Sequence, residues 1–355
     1  MQMFSGSYAN DDVQFLLKQI EIEDTPVHLK ETLIQSGKKH YSQLLSYESL
    51  PKPDYLKLFY DALVLNQQQM AEHLLILAQE IINTRESITL VSLARAGTPI
   101  GVLLKRILKQ YFNVDVPHYS VSIIRDIGLD SQALRFILKQ HHANSLVFID
   151  GWTGKGIISE QLERSLSEFE KTDGIRIPAE LYVLTDLSGS ATVSASNEDY
   201  LIPSSVLNAT VSGLISRSIY DANAVDDFHA CKYYSEFIEQ DLSNYFIDIM
   251  LQAVANSKMS FEKSEINRQY LKTISQNLIQ RLMVEYNVSH ANYIKPGIGE
   301  ATRVLLRREA RCLLLRDLNI KATEHLCWLA HSKSIPITVI ADLPYQAVAL
   351  IKEVL

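Results

Sequence analysis

Residues 145–162 read SLVFIDGWTGKGIISEQL, and the order of residue types in this stretch decides the fold. SLVFID is a short apolar run ending at Asp150. Gly151, Gly154 and Gly156 punctuate the next six residues, and a helical pattern starts near Ile157. An apolar strand, a tight loop and a helix in that order form part of a β–α unit. Ligands of open α/β sheets bind at the C-terminal ends of the strands. A glycine loop at a helix N-terminus offers free N–H groups and the positive end of the helix dipole to a phosphate. Backbone approach at the three glycines, the Thr153 hydroxyl and the Lys155 charge are therefore candidate phosphate contacts. The spacing is not that of a Walker A loop, which needs GxxxxGK[ST]. A plain strand–turn–helix junction is the competing reading.

The pattern continues on both sides. SITLVSLA, VPHYSVSII and AELYVLTDL read as strands; PIGVLLKRILKQYF, SQALRFILKQHH and GIISEQLERSLSEFEK read as helices. Alternation of this length predicts an α/β core over 86–210, a parallel sheet covered by helices. Residues 1–85 read as a helical N-terminal part and 211–260 as a helical hood, so that 1–260 forms one domain. KSEINRQYLKTISQNLIQRLMVEY supplies a connecting helix within 261–292. Residues 293–355 read as a second, small α/β unit, with helices GEATRVLLRR, TEHLCWLAHSK and YQAVALIKEVL alternating with strands ARCLLLRD and IPITVI.

Two further strand ends carry charge. Arg95, Ala96, Gly97 and Thr98 lie between SITLVSLA and its helix, and Arg125, Asp126 and Gly128 follow VPHYSVSII. With Asp150 and its loop, these segments resemble in order the sites of type I phosphoribosyltransferases. There an apolar strand leads through two acidic residues into a Thr-Gly phosphate loop. Here Asp150 holds the first acidic position and Gly151 stands at the second. The resemblance implies binding of phosphoribosyl pyrophosphate (PRPP) with Mg²⁺. Asp150 would hold the ribose hydroxyls, directly or through metal-bound water. The Arg95–Thr98 loop would embrace pyrophosphate, and the Arg125 loop would close over the reacting centre. Arginines, metal and oriented amides would stabilise the departing charge.

FSGSYANDDVQFLLK, SGKKHYSQLLSYE, DYLIPSSVLNATVSGLISRSI and DDFHACKYY together resemble a bacterial family found with tellurium-resistance and stress-response gene clusters. Its members often carry a C-terminal Pelota-type RNA-binding domain, and some bear the label cysteine protease StiP. The resemblance implies a type I phosphoribosyltransferase-like fold and reaction class. Arg217 is a candidate ligand for the anion or the acceptor, beside Ser212, Gly213 and Ser216. Ser5, Gly6, Ser7, Tyr8, Asp11 and Asp12 are candidates for the hood or for a helix cap. Cys231 stands two residues after His229, but closeness in sequence does not make a dyad; the apolar Cys312 and Cys327 read as buried structural thiols, and a cysteine peptidase is the third reading.

The tail segment KPGIGEATRVLLRREARCLLLRDLN resembles the RNA-binding signature of Pelota and the ribosomal kink-turn proteins, Gly-x-x-Glu-x-Thr-Lys/Arg. It implies RNA contacts from Gly297, Gly299, Glu300, Thr302, Arg303 and Arg307, although Gly299 stands where kink-turn binders commonly carry Asn. Arg303 and Arg307 share one helical face. Charge agrees: Tyr293–Lys333 holds eight Lys/Arg and four Asp/Glu, so the net −7 of the chain leaves −11 elsewhere.

The 355 residues are 47% hydrophobic and 21% charged, an ordinary globular composition. The start, MQMFSGSYANDDVQF, lacks the basic and apolar regions of a secretory leader, and no apolar run approaches a membrane span. The sparse cysteines fit a reducing compartment. The expectation is a cytoplasmic PRPP- and Mg²⁺-using enzyme with an RNA-binding tail. The alternative is a non-catalytic nucleotide sensor that regulates RNA. The oligomeric state is open, a homodimer included.

Overall fold

Strands buried on both faces need apolar residues at successive positions rather than at alternate ones. Leu146–Ile149 shows how such a run is divided: Val147 and Ile149 pack on one side of the sheet, Leu146 and Phe148 on the other. Tyr182 and Leu184 alternate with Leu181 and Val183 in the same way. A computed structural model describes residues 3–221, 224, 226–258 and 265–353.

In chain order the first unit comprises β1 (Gln14–Leu16), β2 (Lys18–Gln19), α1 (Val27–Gln35), α2 (Pro53–Thr84), β3 (Thr89–Ala94), α3 (Thr98–Tyr111), β4 (His118–Ile124), β5 (Gly128–Leu129), α4 (Ser131–Leu138), β6 (Leu146–Thr153), α5 (Ile157–Asp173), β7 (Leu181–Asp186), β8 (Val193–Ser196), β9 (Ala230–Cys231) and α6 (Ser243–Ala255). The sheet order is β1-β4-β3-β6-β7-β8, all parallel, with short β5 antiparallel to β4. Residues of α2, α3 and α6 join one apolar cluster, and those of α4 and α5 join the other. After β3 the chain moves to β4 on one side, then returns to β6 on the other. That reversal is a topological switch point, where parallel sheets open a crevice beyond the strand ends.

The second unit comprises α7 (Arg268–Glu285), β10 (Ile294–Pro296), α8 (Ile298–Arg307), β11 (Ala310–Leu315), α9 (Glu324–Ser332), β12 (Ile337–Val339) and β13 (Ala347–Ile351). Its sheet runs β10-β13-β11-β12. The outer face packs on α7 through Leu278, Leu282 and Leu350. The inner face carries α8 and α9, and Ile298, Ala301, Val304 and Leu305 belong to the same apolar cluster as Val206 and Leu207 of the first unit. The small unit is thus docked on the larger one.

The α/β class and the parallel sheet are as expected, but several elements differ. The N-terminal part is not wholly helical. VQFLL contributes β1, whose Phe15 and Leu16 are fully buried, because this run is too short for a helix and inserts beside β4. The region 211–260 is largely irregular before α6, with β9 pairing β2. AVALI is the central strand β13 rather than a helix; its five consecutive buried residues are flanked by β10 and β11. Residues 259–260 of the expected hood and 261–264 of the expected connection lie outside the described residues. Among the described residues no helix is long and apolar enough to cross a membrane.

Leu313 of β11 is fully buried in the cluster that reaches the first unit. Leu313→Ala should therefore cost about 2–5 kcal/mol, measured by urea unfolding, as expected for a buried leucine whose site cannot collapse.

Candidate functional site

The crevice at the β3/β6 switch point is a cleft of about 190 Å³, lined among others by Arg95, Ala96, Asp150, Trp152, Arg217, Arg303 and Arg307. Three separate segments deliver its four guanidinium groups. Arg95 follows β3, across a cis Ala94–Arg95 peptide. Arg217 comes from the irregular segment before β9. Arg303 and Arg307 lie one turn apart on α8, so helical geometry aims both at the same space.

Arg95 is the best neutralised, with Glu48 at 3.1 Å and the Ile215 carbonyl at 2.8 Å. Arg303 donates to Glu300 at 2.9 Å and lies 4.3 Å from the Trp152 ring centroid. Arg217 donates to the Tyr41 and Leu44 carbonyls, and Arg307 to the Asn208 amide oxygen. Among the described residues neither Arg217 nor Arg307 forms an ion pair. Burial, with Arg95 nearby, pushes Arg217 down to about 10. Burial, then the charges of Arg95 and Arg303, pushes Arg307 down to about 9. Two of the residues lining this cleft carry a buried polar atom without a hydrogen-bond partner among the described residues: Arg307 at Nε and Ser205 at its hydroxyl. An unpaired buried donor costs about 1–3 kcal/mol.

Asp150 is the one carboxylate lining the cleft. Its Oδ1 accepts the Gly151 N–H at 2.8 Å. Burial raises its carboxyl to about 6, although Arg303 and the Gly151 N–H oppose the shift. These residues do not fit a protein-held Mg²⁺. No group of three or more His, Cys, Asp or Glu that could hold a metal occurs among the described residues, and the lone Asp150 faces four cations.

The glycine loop is not where the ligand space lies. The Thr153 hydroxyl donates to buried Asp186, which also accepts the Ser188, Ser190 and Ala191 N–H groups. Thr153 is thus committed to holding the loop. A Cβ on Gly154 would sit 3.2 Å from Glu300 Cγ and 3.4 Å from the Pro296 carbonyl, so the second unit covers the loop. Lys155 turns to the Ala291 carbonyl at 2.6 Å; burial and then Lys295 push it down to about 7. Gly156 adopts φ +81° against Ser190. Gly97 abuts the Ile149 carbonyl, and the Thr98 hydroxyl lies 2.8 Å from that of Ser120, so both serve packing. Arg125 is outside the lining; its Nε donates to Asp126 at 3.1 Å, and its guanidinium stacks on Tyr41.

The tail residues expected to face RNA are engaged internally. A Cβ on Gly299 would come 2.7 Å from the Trp152 ring, and Gly297 packs on Leu187. Thr302 is fully buried and hydrogen-bonds the Ile298 carbonyl and His325, each at 2.7 Å. Burial would raise Glu300, but Lys295, Arg303 and Lys155 hold it down to about 2. The anion position at the start of α8 is taken by Asp199, whose carboxylate accepts the Ile298 N–H at 2.9 Å. Arg303 and Arg307 point into the cleft instead of forming an open basic face.

The N-terminal residues buttress the site from behind. Gly6 abuts Gly213, the Tyr8 hydroxyl donates to the Val211 carbonyl, and Asp12 pairs with Arg106. Trp152, Ser205 and Asn208 were not singled out in the sequence. Ser205 and Asn208 sit in SSVLNAT, whose polar residues within an apolar run were the available signal.

None of the three cysteines lines the cleft. Cys231 is fully buried in β9, and burial pushes its thiol up to about 12. His229 Nδ1 lies 2.8 Å from the Ser122 hydroxyl. Burial also raises Cys312 and Cys327.

Residues 6–251 match the family described as tellurite-like stress resistance cysteine protease StiP, and residues 273–353 match the PELOTA RNA binding domain. The chain is 41% identical to the cysteine protease StiP of Acinetobacter baylyi, over 99% of this chain and 95% of that protein. These matches overturn the expectation of a PRPP-dependent phosphoribosyl transfer and of its nucleotide-sensing variant, because both the family and the relative are described as cysteine proteases. The StiP-type resemblance and the Pelota domain stand.

The raised carboxyl of Asp150 gives the cleft a pH dependence. Below about 6 the group is neutral; above it, a negative charge faces any bound anion. Sulfate keeps its charge through this range, so its affinity should fall as pH rises through about 6, measured by titration calorimetry. Asp150→Asn should flatten that dependence.

Proposed function

The chain belongs to the StiP family, and from that premise and the chemistry of the cleft we propose an enzyme that acts on a small phosphate-class anion held by Arg95, Arg217, Arg303 and Arg307, with Asp150 as the proton-transfer group. The single observation that carries the reading is the convergence of four guanidinium groups, from both units, on one cleft. Four guanidinium groups face one lining carboxylate, and among the described residues Arg95 and Arg303 are the two with acidic partners, Glu48 and Glu300. Arg217 and Arg307 therefore leave an excess of two positive charges while Asp150 is neutral, which suits a dianion better than a monoanion. Charge-assisted hydrogen bonds to such a ligand are the strong ones, and arginine is the residue suited to bidentate oxyanion contact. Asp150, with its carboxyl near 6, is suited to giving or taking a proton near neutrality. RNA is the partner that the Pelota match supports for the second unit.

The name of the relative favours a second reading, a cysteine peptidase. Cys231 is its candidate nucleophile, through the nearby His229. The thiolate is the reactive form, and a buried thiol held near 12 would need a different local arrangement to ionise.

The test has two parts. Arg307→Ala should weaken the binding of inorganic pyrophosphate about ten- to a hundredfold, the worth of one charge-assisted hydrogen bond of about 1.5–3 kcal/mol. Unchanged affinity in calorimetry would remove the cleft as the ligand site. Cys231→Ser should leave pyrophosphate affinity unchanged. Hydrolysis of unfolded casein that is present in the wild type and lost in Cys231→Ser would favour the peptidase reading over the cleft.

A further inference from the structure

The cleft is shared between the two units. Arg95 and Arg217 belong to the larger one; Arg303 and Arg307 arrive on α8 of the smaller one. The surfaces around α8 meet through specific contacts. Asp199 Oδ1 accepts the Ile298 N–H at 2.9 Å, and Oδ2 accepts the Gln346 N–H at 2.8 Å. Trp152 receives Gly299 at its edge and Arg303 on its face. Asn208 accepts from Arg307. The Tyr345 hydroxyl donates to the Leu187 carbonyl at 2.9 Å.

Electrostatics works against this docking where the arginines converge. Arg95, Arg303 and Arg217 all oppose the charge on Arg307. Arg307 and Ser205 both line the cleft, and the Arg307 Nε and the Ser205 hydroxyl, the latter on a residue only 6% exposed, have no hydrogen-bond partner among the described residues. One belongs to each unit. An anion placed between them converts the repulsion into bonds that span the interface, because it touches α8 on one side and the ends of β3 and β6 on the other.

We propose that the cleft's anion is a clamp between the two units: when bound it holds α8 against the sheet, and when it leaves, RNA can compete for the arginine face of α8. The proposal rests on the reading that the cleft binds a phosphate-class anion. The docked arrangement hides the features of α8 that suit nucleic acid. Its first N–H, that of Ile298, is taken by Asp199, and Arg303 and Arg307 line the cleft. A phosphate backbone needs those same groups. Binding linkage is reciprocal, so an anion that favours docking must be bound more weakly once RNA holds α8, and by the same factor.

The experiment uses the full chain with inorganic pyrophosphate as the probe. Hydrogen exchange of the 298–307 amides should slow about tenfold at saturating pyrophosphate, a factor within the usual range for coupled sites. A bulged stem-loop RNA should bind about tenfold more weakly under the same conditions. Pyrophosphate adds few ions at micromolar concentration, and potassium chloride of equal ionic strength controls for screening. Asp199→Asn loosens the latch without touching the cleft. It should weaken pyrophosphate and strengthen RNA binding, each by about tenfold or less. If that variant fails to fold, the wild-type exchange and RNA measurements decide alone. Pyrophosphate that binds in calorimetry yet leaves both α8 exchange and RNA affinity unchanged overturns the clamp and leaves the anion site standing. No pyrophosphate binding overturns the anion site itself.

Discussion

The seating of α8 on Trp152 is the contact on which the rest of the site depends. Gly299 allows the helix to approach the indole edge, and any Cβ there would strike the ring. That approach sets Arg303 over the indole face, a cation–π contact worth about 0.5–2 kcal/mol depending on desolvation. One turn later it carries Arg307 to Asn208. It also sets Glu300 against Gly154, so that the glycine loop is partly covered. A single small residue thereby converts an open strand-end crevice into a roofed cleft with cations from both units.

Polar organisation around that roof is unequal. Glu300 is surrounded by Lys295, Arg303 and Lys155, and its carboxylate is held ionised at low pH. Asp186 collects N–H groups from the turn after β7 and fixes Thr153. Such closed networks give rigidity because every member has a partner. The cleft is the opposite case, with donors in excess and two left unpaired.

The family description sits uneasily with the placement of the thiols, and the disagreement is specific. Cys231 is enclosed by the apolar cluster of the first unit, with neighbours β2 and the sheet, while the cation-rich cleft contains no cysteine. A nucleophilic thiol needs a nearby positive charge or base to lower its pKa, and burial does the reverse here. Chemistry at the arginine cleft and chemistry at Cys231 therefore require different parts of the molecule. A single substitution at each place separates them.

The strand–loop–helix order of SLVFIDGWTGKGIISEQL was enough to determine the parallel sheet, because a short unbroken apolar run between turn residues has few ways to be buried. Arg95, Asp150 and Arg217 were legible as candidates for the same reason, since they stand at strand ends or beside apolar runs and do reach the cleft. The assignment of VQFLL to β1 and AVALI to β13 was not legible. Neighbouring strands supply the reason for extended backbone there, and nothing local does. Thr153, Lys155 and Gly154 looked like phosphate contacts because their loop suits an anion. Their actual partners are Asp186, the Ala291 carbonyl and Glu300, all distant in sequence. Likewise the basic helix of the tail was readable, but its direction was not. Only the packing of Gly299 on Trp152 decides that Arg303 and Arg307 face inward, because a helix fixes which residues share a face while the surface it docks on fixes where that face points.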